Sequence, residues 1–253
     1  MPHSARIWNY WLGGKDNFAV DREAGDAWLA IHPEITVIAR ATRAFLNRSI
    51  RFLADEGIRQ FIDVGTGLPT ADNTHQVAQR VAPESRVVYV DNDPLVLAHA
   101  RALLTSTPEG STRYLHADMH DSAELIEGAS ETLDLTRPVA VFFMGVLGHI
   151  ADTAEARDIV RGLVDRVPSG SYLTICDSSH PTAGTAFTQA QQEYADSGAV
   201  PYWNRHAAEI RGFFDGLELV EPGFVSVPLW RPGDTGGEPP APLDHFGGVA
   251  RKP

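Results

Sequence analysis

The stretch FIDVGTGLPT (61–70) decides how the rest of the chain is read. Phe61, Ile62 and Val64 surround Asp63 in a short run of buried-strand character, and Gly65-Thr66-Gly67 then turns the chain. Glycines permit backbone dihedrals that a Cβ forbids and let a ligand approach the main chain closely. Pro69 reshapes the start of the segment that follows. Many nucleotide-like ligands use turns of this general kind, so the choice among them rests on what the neighbouring strands contribute.

Four further runs have the same texture: RVVYVD (86–91), RYLHAD (113–118), PVAVFFMG (138–145) and SYLTICD (171–177). Amphipathic helical segments are predicted between them near 71–82, 94–105, 121–130 and 152–167. Strands alternating with helices predict an α/β fold. Its sheet is expected to be parallel, covered by helices on both faces, with ligand sites at the carboxyl ends of the strands. Asp63, Asp91 and Asp118 close the first three runs and so fall at that edge, and Asp177 follows the fifth. Two regions break the rhythm. Residues 1–58 read as a mostly helical N-terminal extension, and 178–215 as a helical insertion that leaves the fifth strand beside that edge. A tight hairpin, LELVEP (217–222) and FVSVPLW (224–230), is expected around Gly223, followed by an irregular Pro- and Gly-rich tail from Pro232. No linker interrupts this order, so a single domain over 1–253 is expected, with a core at 59–177 and a terminal hairpin and tail at 216–253.

Composition narrows the partners. A net charge of −12, from 33 acidic and 21 basic residues, disfavours non-specific binding to nucleic acid or an anionic membrane. The lone Cys176 rules out an intrachain disulfide and a Cys-rich zinc site, and no metal is expected. With no signal-like or membrane-length apolar stretch, a cytoplasmic location is expected. Oligomeric state is not legible.

One nucleoside explains the three acidic strand ends together. Asp91 can grip the two hydroxyls of a ribose, Asp118 can accept from an exocyclic amine such as that of adenine, and Met119 can read the same ring edge. The alternative is that the glycines only turn the chain and the carboxylates only cap helices. A phosphate-cradling Gly-x4-Gly-Lys-Ser/Thr loop is absent. The third glycine of a dinucleotide fingerprint is replaced by Thr70, and Asp63 would face a diphosphate unfavourably. A cationic amine suits Asp63 better. S-adenosylmethionine supplies an ammonium, a ribose and an adenine without phosphate, and the charge pattern favours it; an NAD-dependent oxidoreductase is the disfavoured alternative.

The series FIDVGTG, VVYVDND, YLHADMHD, VAVFFMGVLGHI and VPSGSYLTICD resembles the class I S-adenosylmethionine-dependent methyltransferases over roughly residues 55–230. SARIWNYWLGGKDNFAVDREA, DVGTGLPTADNTHQVA and VVYVDNDPLVLAHARALL look like an actinobacterial family of methyltransferase-like proteins without a generally established substrate. The resemblance implies a Rossmann-like sheet of seven strands ending in an antiparallel hairpin. It also implies methyl transfer to a small-molecule acceptor, with a catalytically silent cofactor-binding regulator as the alternative. By the same resemblance Asp63, Gly65 and Gly67 line the methionine portion of the cofactor, and Asp91 takes the ribose hydroxyls with Asn92 beside the adenine. Asp118 and Met119 bracket the ring, and Met144 and Gly145 lie under the sulfonium. Related sequences often place a His directly after the Val-Leu that follows the fourth strand, whereas here Gly148 intervenes before His149.

Bases for an acceptor proton are sought at the same edge: His149 and His180, then His116, with His120 read as a capping residue. The segment WNYWLGGKDNF (8–18) has two readings. It is an aromatic helix end with a glycine cap, or a lid hinged at Gly13-Gly14 that turns Tyr10, Lys15, Asp16, Asn17 and Phe18 toward the cofactor, with Lys15 on its carboxylate. The aromatics of the insertion, Phe187, Tyr194, Tyr202, Trp203, Phe213 and Phe214, are candidates for either core or acceptor pocket.

Overall fold

The computed structural model describes residues 1–70, 72–96, 105–179, 201–233, 236 and 238–253. Three helices open the chain: α1 (Ser4–Trp11), α2 (Ala19–Ile31) and α3 (Ile35–Asp55). The alternating part follows as β1 (Gln60–Val64), α4 (Thr74–Val81), β2 (Arg86–Asp91), β3 (Ser111–His116), α5 (Ser122–Ser130), β4 (Ala140–Met144), α6 (Thr153–Val164) and β5 (Tyr172–Ser178). The helix expected over 94–105 lies largely outside the described residues, as does most of the insertion. Among the described residues the chain closes with α7 (Ala207–Arg211), β6 (Glu218–Leu219), β7 (Val225–Ser226) and β8 (His245–Arg251).

The strands form one sheet in the order β3-β2-β1-β4-β5-β8-β6, with β7 also paired to β8. Strands β1 to β5 are parallel, and β8 runs antiparallel between β5 and β6. Alternation along each strand builds two cores. Ile62, Val64, Val88, Val90, Val141, Phe143 and Ile175 pack with the residues of α5 and α6 and with Phe213 and Phe214. Phe61, Val87, Tyr89, Ala140 and Phe142 pack with Phe45, Leu46, Ile50 and Leu53 of α3. The expected α/β class, with helices on both faces of a mainly parallel sheet, is the fold of this chain.

The tail departs from expectation. Instead of a hairpin of 217–222 with 224–230, two short strands pair along the edge of β8 opposite β5, and the tail read as irregular supplies that antiparallel strand. The sequence HFGGVAR conceals a strand because Gly weakens strand propensity. Close packing explains the glycine: a Cβ on Gly247 would lie 2.7 Å from the Ile175 carbonyl oxygen and 2.8 Å from Cys176 Cβ. The insertion also differs. Residues 201–206 are not helical, and the helix begins only at Ala207. No described helix is long and apolar enough to cross a membrane.

Candidate functional site

The carboxyl ends of the parallel strands open into a cavity of about 500 Å³, within the range of small-ligand sites. Its floor is the turn after β1. Gly65 and Gly67 both take left-handed φ values, 67° and 64°. The Gly65 N–H donates to the Val90 carbonyl at 2.8 Å, and the Gly67 N–H donates to Asp91 Oδ2 at 2.9 Å. Asp91 Oδ1 accepts from the Asp93 N–H at 3.0 Å, so this carboxylate rivets the β1 and β2 turns together while lining the cavity. A carboxylate has more lone-pair sites than these two bonds use. Burial raises the Asp91 pKa against the pull of those two N–H donors.

Asp63 lies deeper, 5% exposed, and accepts from Thr74 Oγ at 2.6 Å, which also fixes the first turn of α4. Burial pushes its pKa up to about 6, with the Thr74 hydroxyl and the Arg43 charge opposing the rise. Arg43, from the middle of α3, lines the same cavity. Among the described residues its guanidinium has no hydrogen-bond or ion-pair partner; burial lowers its pKa, and the charge of Asp63 acts against that shift. Sequence reading missed Arg43. One Arg within an amphipathic helix looks like a solvated charge, and only the fold of α3 over the sheet brings it beside Asp63.

Of the residues expected at the cofactor, Asp63, Gly65, Gly67, Asp91, Asn92, Asp118, Met119, Met144 and Gly145 all line this one cavity. Asp118 is exposed at its rim and accepts from the His120 N–H at 3.0 Å; its pKa is held low by the backbone and ring of His120. His120, expected to cap, instead pairs with Asp118 and Glu155 at the cavity rim, and Asp121 caps α5. His116 is exposed and bonded to the Asn92 carbonyl at 3.0 Å, outside the cavity.

Tyr10, Lys15 and Asn17 do not line the cavity, which corrects their expected role. Tyr10 donates to Asp26 at 2.6 Å on the outer side of the helical pair, and Lys15 is exposed. Asn17 donates to Asn9 Oδ1 at 3.0 Å and to the Gly14 carbonyl at 2.9 Å. The turn LGGKDNF winds around Asn9, and a Cβ on Gly14 would sit 2.4 Å from the Asn9 side chain. It is the preceding helix that roofs the site. Ser4, Ala5, Trp8, Asn9 and Trp11 of α1 face the cavity, with Ala5 over Gly67, and His3 contacts Asp93 across the opening.

At the other end stand Val146, His149, Ser178, Ser179, Tyr202 and Asn204. Gly148 makes this wall possible: a Cβ there would meet the Tyr202 ring at 2.2 Å. His149, displaced by that glycine, bonds through Nδ1 to the Pro201 carbonyl at 2.9 Å and packs edge-on against Tyr202. Burial lowers its pKa. His180, Phe187 and Tyr194 lie outside the described residues. Phe213 and Phe214 are core, not pocket. Arg205, 3% exposed, pins the 201–206 segment by donating to the Leu147 carbonyl at 2.8 Å and to the Ile150 carbonyl.

The family model described as S-adenosyl methyltransferase matches residues 1–253 of this chain. The chain belongs to that family. A DUF574 family protein of Streptomyces avermitilis is 47% identical over 100% of this chain and 98% of its own, with a TM-score of 0.92. A protein of Thermobifida fusca put forward as a methyltransferase is 37% identical over 99% and 95%, with a TM-score of 0.87. No curated protein matches the sequence. For this methyltransferase, then, the comparisons support S-adenosylmethionine as the cofactor and methyl transfer as the reaction class, and name no acceptor.

Proposed function

We propose that this methyltransferase carries the methyl group of S-adenosylmethionine to a small molecule bound in the same cavity. The observation that carries this reading is continuity. One cavity is lined by the glycine turn and Asp91, by Met144 and Gly145, and by Trp8, Trp11, Trp28, His149 and Tyr202. The donor set fits the cofactor. Asp63 beside Arg43, which has no hydrogen-bond or ion-pair partner among the described residues, matches the ammonium and carboxylate of an amino acid, and Asp91 retains lone pairs for ribose hydroxyls. Asn92, Asp118 and Met119 are suited to adenine at the rim. The bound cofactor supplies an activated methyl group that an in-line nucleophile can take. The protein contributes position and dryness, with α1 closing over the turn and the aromatic walls holding an apolar or flat acceptor in line. The acidic side chains of the cavity and the net charge of −12 support a small acceptor over nucleic acid or a membrane surface.

Calorimetry with S-adenosylmethionine, S-adenosylhomocysteine and NAD tests the cofactor reading; tight binding of the first two and none of NAD is expected. Preferential binding of NAD would overturn it. Transfer of labelled methyl to an acceptor panel then tests turnover. Failure across a broad panel of alcohols, phenols and amines, despite tight cofactor binding, would favour a silent binding protein.

A further inference from the structure

We propose that Tyr202, backed by Asp177, accepts the proton of the methyl acceptor and thereby selects acceptors that present an O–H or N–H group. This rests on the methyl-transfer reading above. The Tyr202 hydroxyl stands 3.9 Å from where a Cβ would project from Gly145, at the end of β4, and donates its proton to Asp177 Oδ1. The Ser178 N–H donates to the same Asp177 oxygen at 2.9 Å and approaches the phenol oxygen. A phenol oxygen accepts as well as donates. With its proton committed to Asp177, Tyr202 meets a ligand through a lone pair.

Two neighbours on this wall are oriented the same way. The Pro201 carbonyl can only accept, so neutral His149 carries its proton on Nδ1 and turns a lone pair outward on Nε2. Behind β5, Thr42 donates its one proton to the Ile38 carbonyl at 2.9 Å. The buried His245 therefore donates from Nε2 to Thr42 at 3.0 Å, and its Nδ1 accepts the Ser178 hydroxyl proton at 3.1 Å. Burial holds His245 neutral, with its pKa pushed down to about 3. Tyr202, His149 and Ser178 all line the cavity with their protons directed elsewhere. These three acceptors reward a ligand that donates to them and leave a carboxylate or ether oxygen placed against them facing lone pairs.

Asp177 is where the proton comes to rest. It is 1% exposed, and among the described residues its Oδ2 has no hydrogen-bond partner. The charged or titratable groups facing it are Tyr202, the buried Cys176 thiol and Arg205, whose Nη1 is 3.9 Å from Oδ2. A buried carboxylate compensated this weakly gains by protonation, and its pKa rises to about 6. As the acceptor oxygen or nitrogen forms its bond to the methyl carbon, the C–S bond breaks and its electron pair stays on sulfur. The acceptor's proton passes to Tyr202 Oη while the proton of Tyr202 moves to Asp177 Oδ1. The positive charge lost at sulfur is thus matched by neutralisation of Asp177.

The test uses the full-length protein saturated with S-adenosylhomocysteine, whose own binding is measured first and reports on the cofactor reading separately. Phenol, anisole and benzoate are then titrated by calorimetry. Phenol is expected to bind about tenfold or more tighter than anisole and benzoate, the effect of one buried hydrogen bond. Tyr202→Phe should erase most of that preference and Ser178→Ala part of it. Equal affinities for the three probes, or a preference for benzoate, would overturn the proposal while leaving cofactor binding intact. Asp177→Asn preserves the shape of the pair. The infrared difference between wild type and D177N should show a carboxylic-acid band growing as pH falls through about 6. A flat difference spectrum would remove Asp177 from its role. If Tyr202→Phe fails to bind S-adenosylhomocysteine, the wild-type probe series and Ser178→Ala decide the matter.

Discussion

Adding one methyl group at Gly65 is expected to cost far more than adding it at Gly67, although the two residues share a turn and nearly the same φ. A Cβ on Gly65 would fall 2.2 Å from Val146 Cγ2 and 2.6 Å from Val146 Cβ. Ordinary carbon contacts lie at about 3.5–4.0 Å, so one of the two segments must move. Val146 has little freedom to yield. The preceding Gly145 N–H is bonded to the Cys176 carbonyl at 2.8 Å, and the Val146 carbonyl accepts from His149 at 3.0 Å. A left-handed alanine costs about 1–2 kcal/mol. Overpacking adds about 1–3 kcal/mol, for a total of roughly 2–5 kcal/mol. At Gly67 the nearest atom to a new Cβ is that of Ala5 at 4.0 Å, so only the backbone cost remains. That cost is reduced by about 0.4–1 kcal/mol through the stiffer unfolded chain. Urea unfolding of the ligand-free variants, followed by tryptophan fluorescence, measures both. Gly65→Ala should lose at least about 1 kcal/mol more than Gly67→Ala, the overpacking share alone. Equal losses, or a larger loss at Gly67, would refute the close packing of the turn against Val146.

Three other perturbations follow from the charges around the cavity. Arg43→Met should weaken S-adenosylmethionine binding about tenfold or more with little loss of stability, because the guanidinium is desolvated without a hydrogen-bond or ion-pair partner among the described residues; calorimetry beside urea unfolding checks both halves. Asp63, with its pKa raised to about 6, binds more protons folded than unfolded between about pH 4 and 6, so its contribution to stability falls as pH rises through that window. The cost above it is on the order of 2–3 kcal/mol, and Asp63→Asn should flatten the curve of urea midpoint against pH there. A cationic ligand favours the ionised form, so wild-type affinity for S-adenosylmethionine should weaken below about pH 6. Lys15→Ala should leave cofactor affinity unchanged in the same calorimetric assay, since this exposed side chain is outside the cavity.

The alternation of apolar runs with amphipathic segments, and the Asp residues ending those runs, were enough to read the sheet edge. Strand period and strand-end chemistry are local properties, and Asp63, Gly65, Gly67, Asp91 and Asp118 lie within or just after their own strands. Where a residue acts through packing, the sequence misled. The Gly-Gly of the tail reads as loop because its reason for being glycine, the Ile175 carbonyl and Cys176 beside it, lies some seventy residues away. LGGKDNF reads as a lid because its aromatic and charged residues suit one, yet Asn17 is spent on Asn9, Gly14 and Arg22, Lys15 is exposed, and α1 covers the turn instead.

Local sequence thus determined the class of fold and the sheet edge onto which the cavity opens, because each depends on residues close together in the chain. The partner of Asp63 and the far wall of the cavity were decided only by tertiary structure. Arg43 beside Asp63, Tyr202 on Asp177 over Gly148, and His245 between Thr42 and Ser178 join elements far apart in sequence. No spacing rule foretells such contacts, because burial and proton direction at each of these groups are set by the partner that folding brings to it.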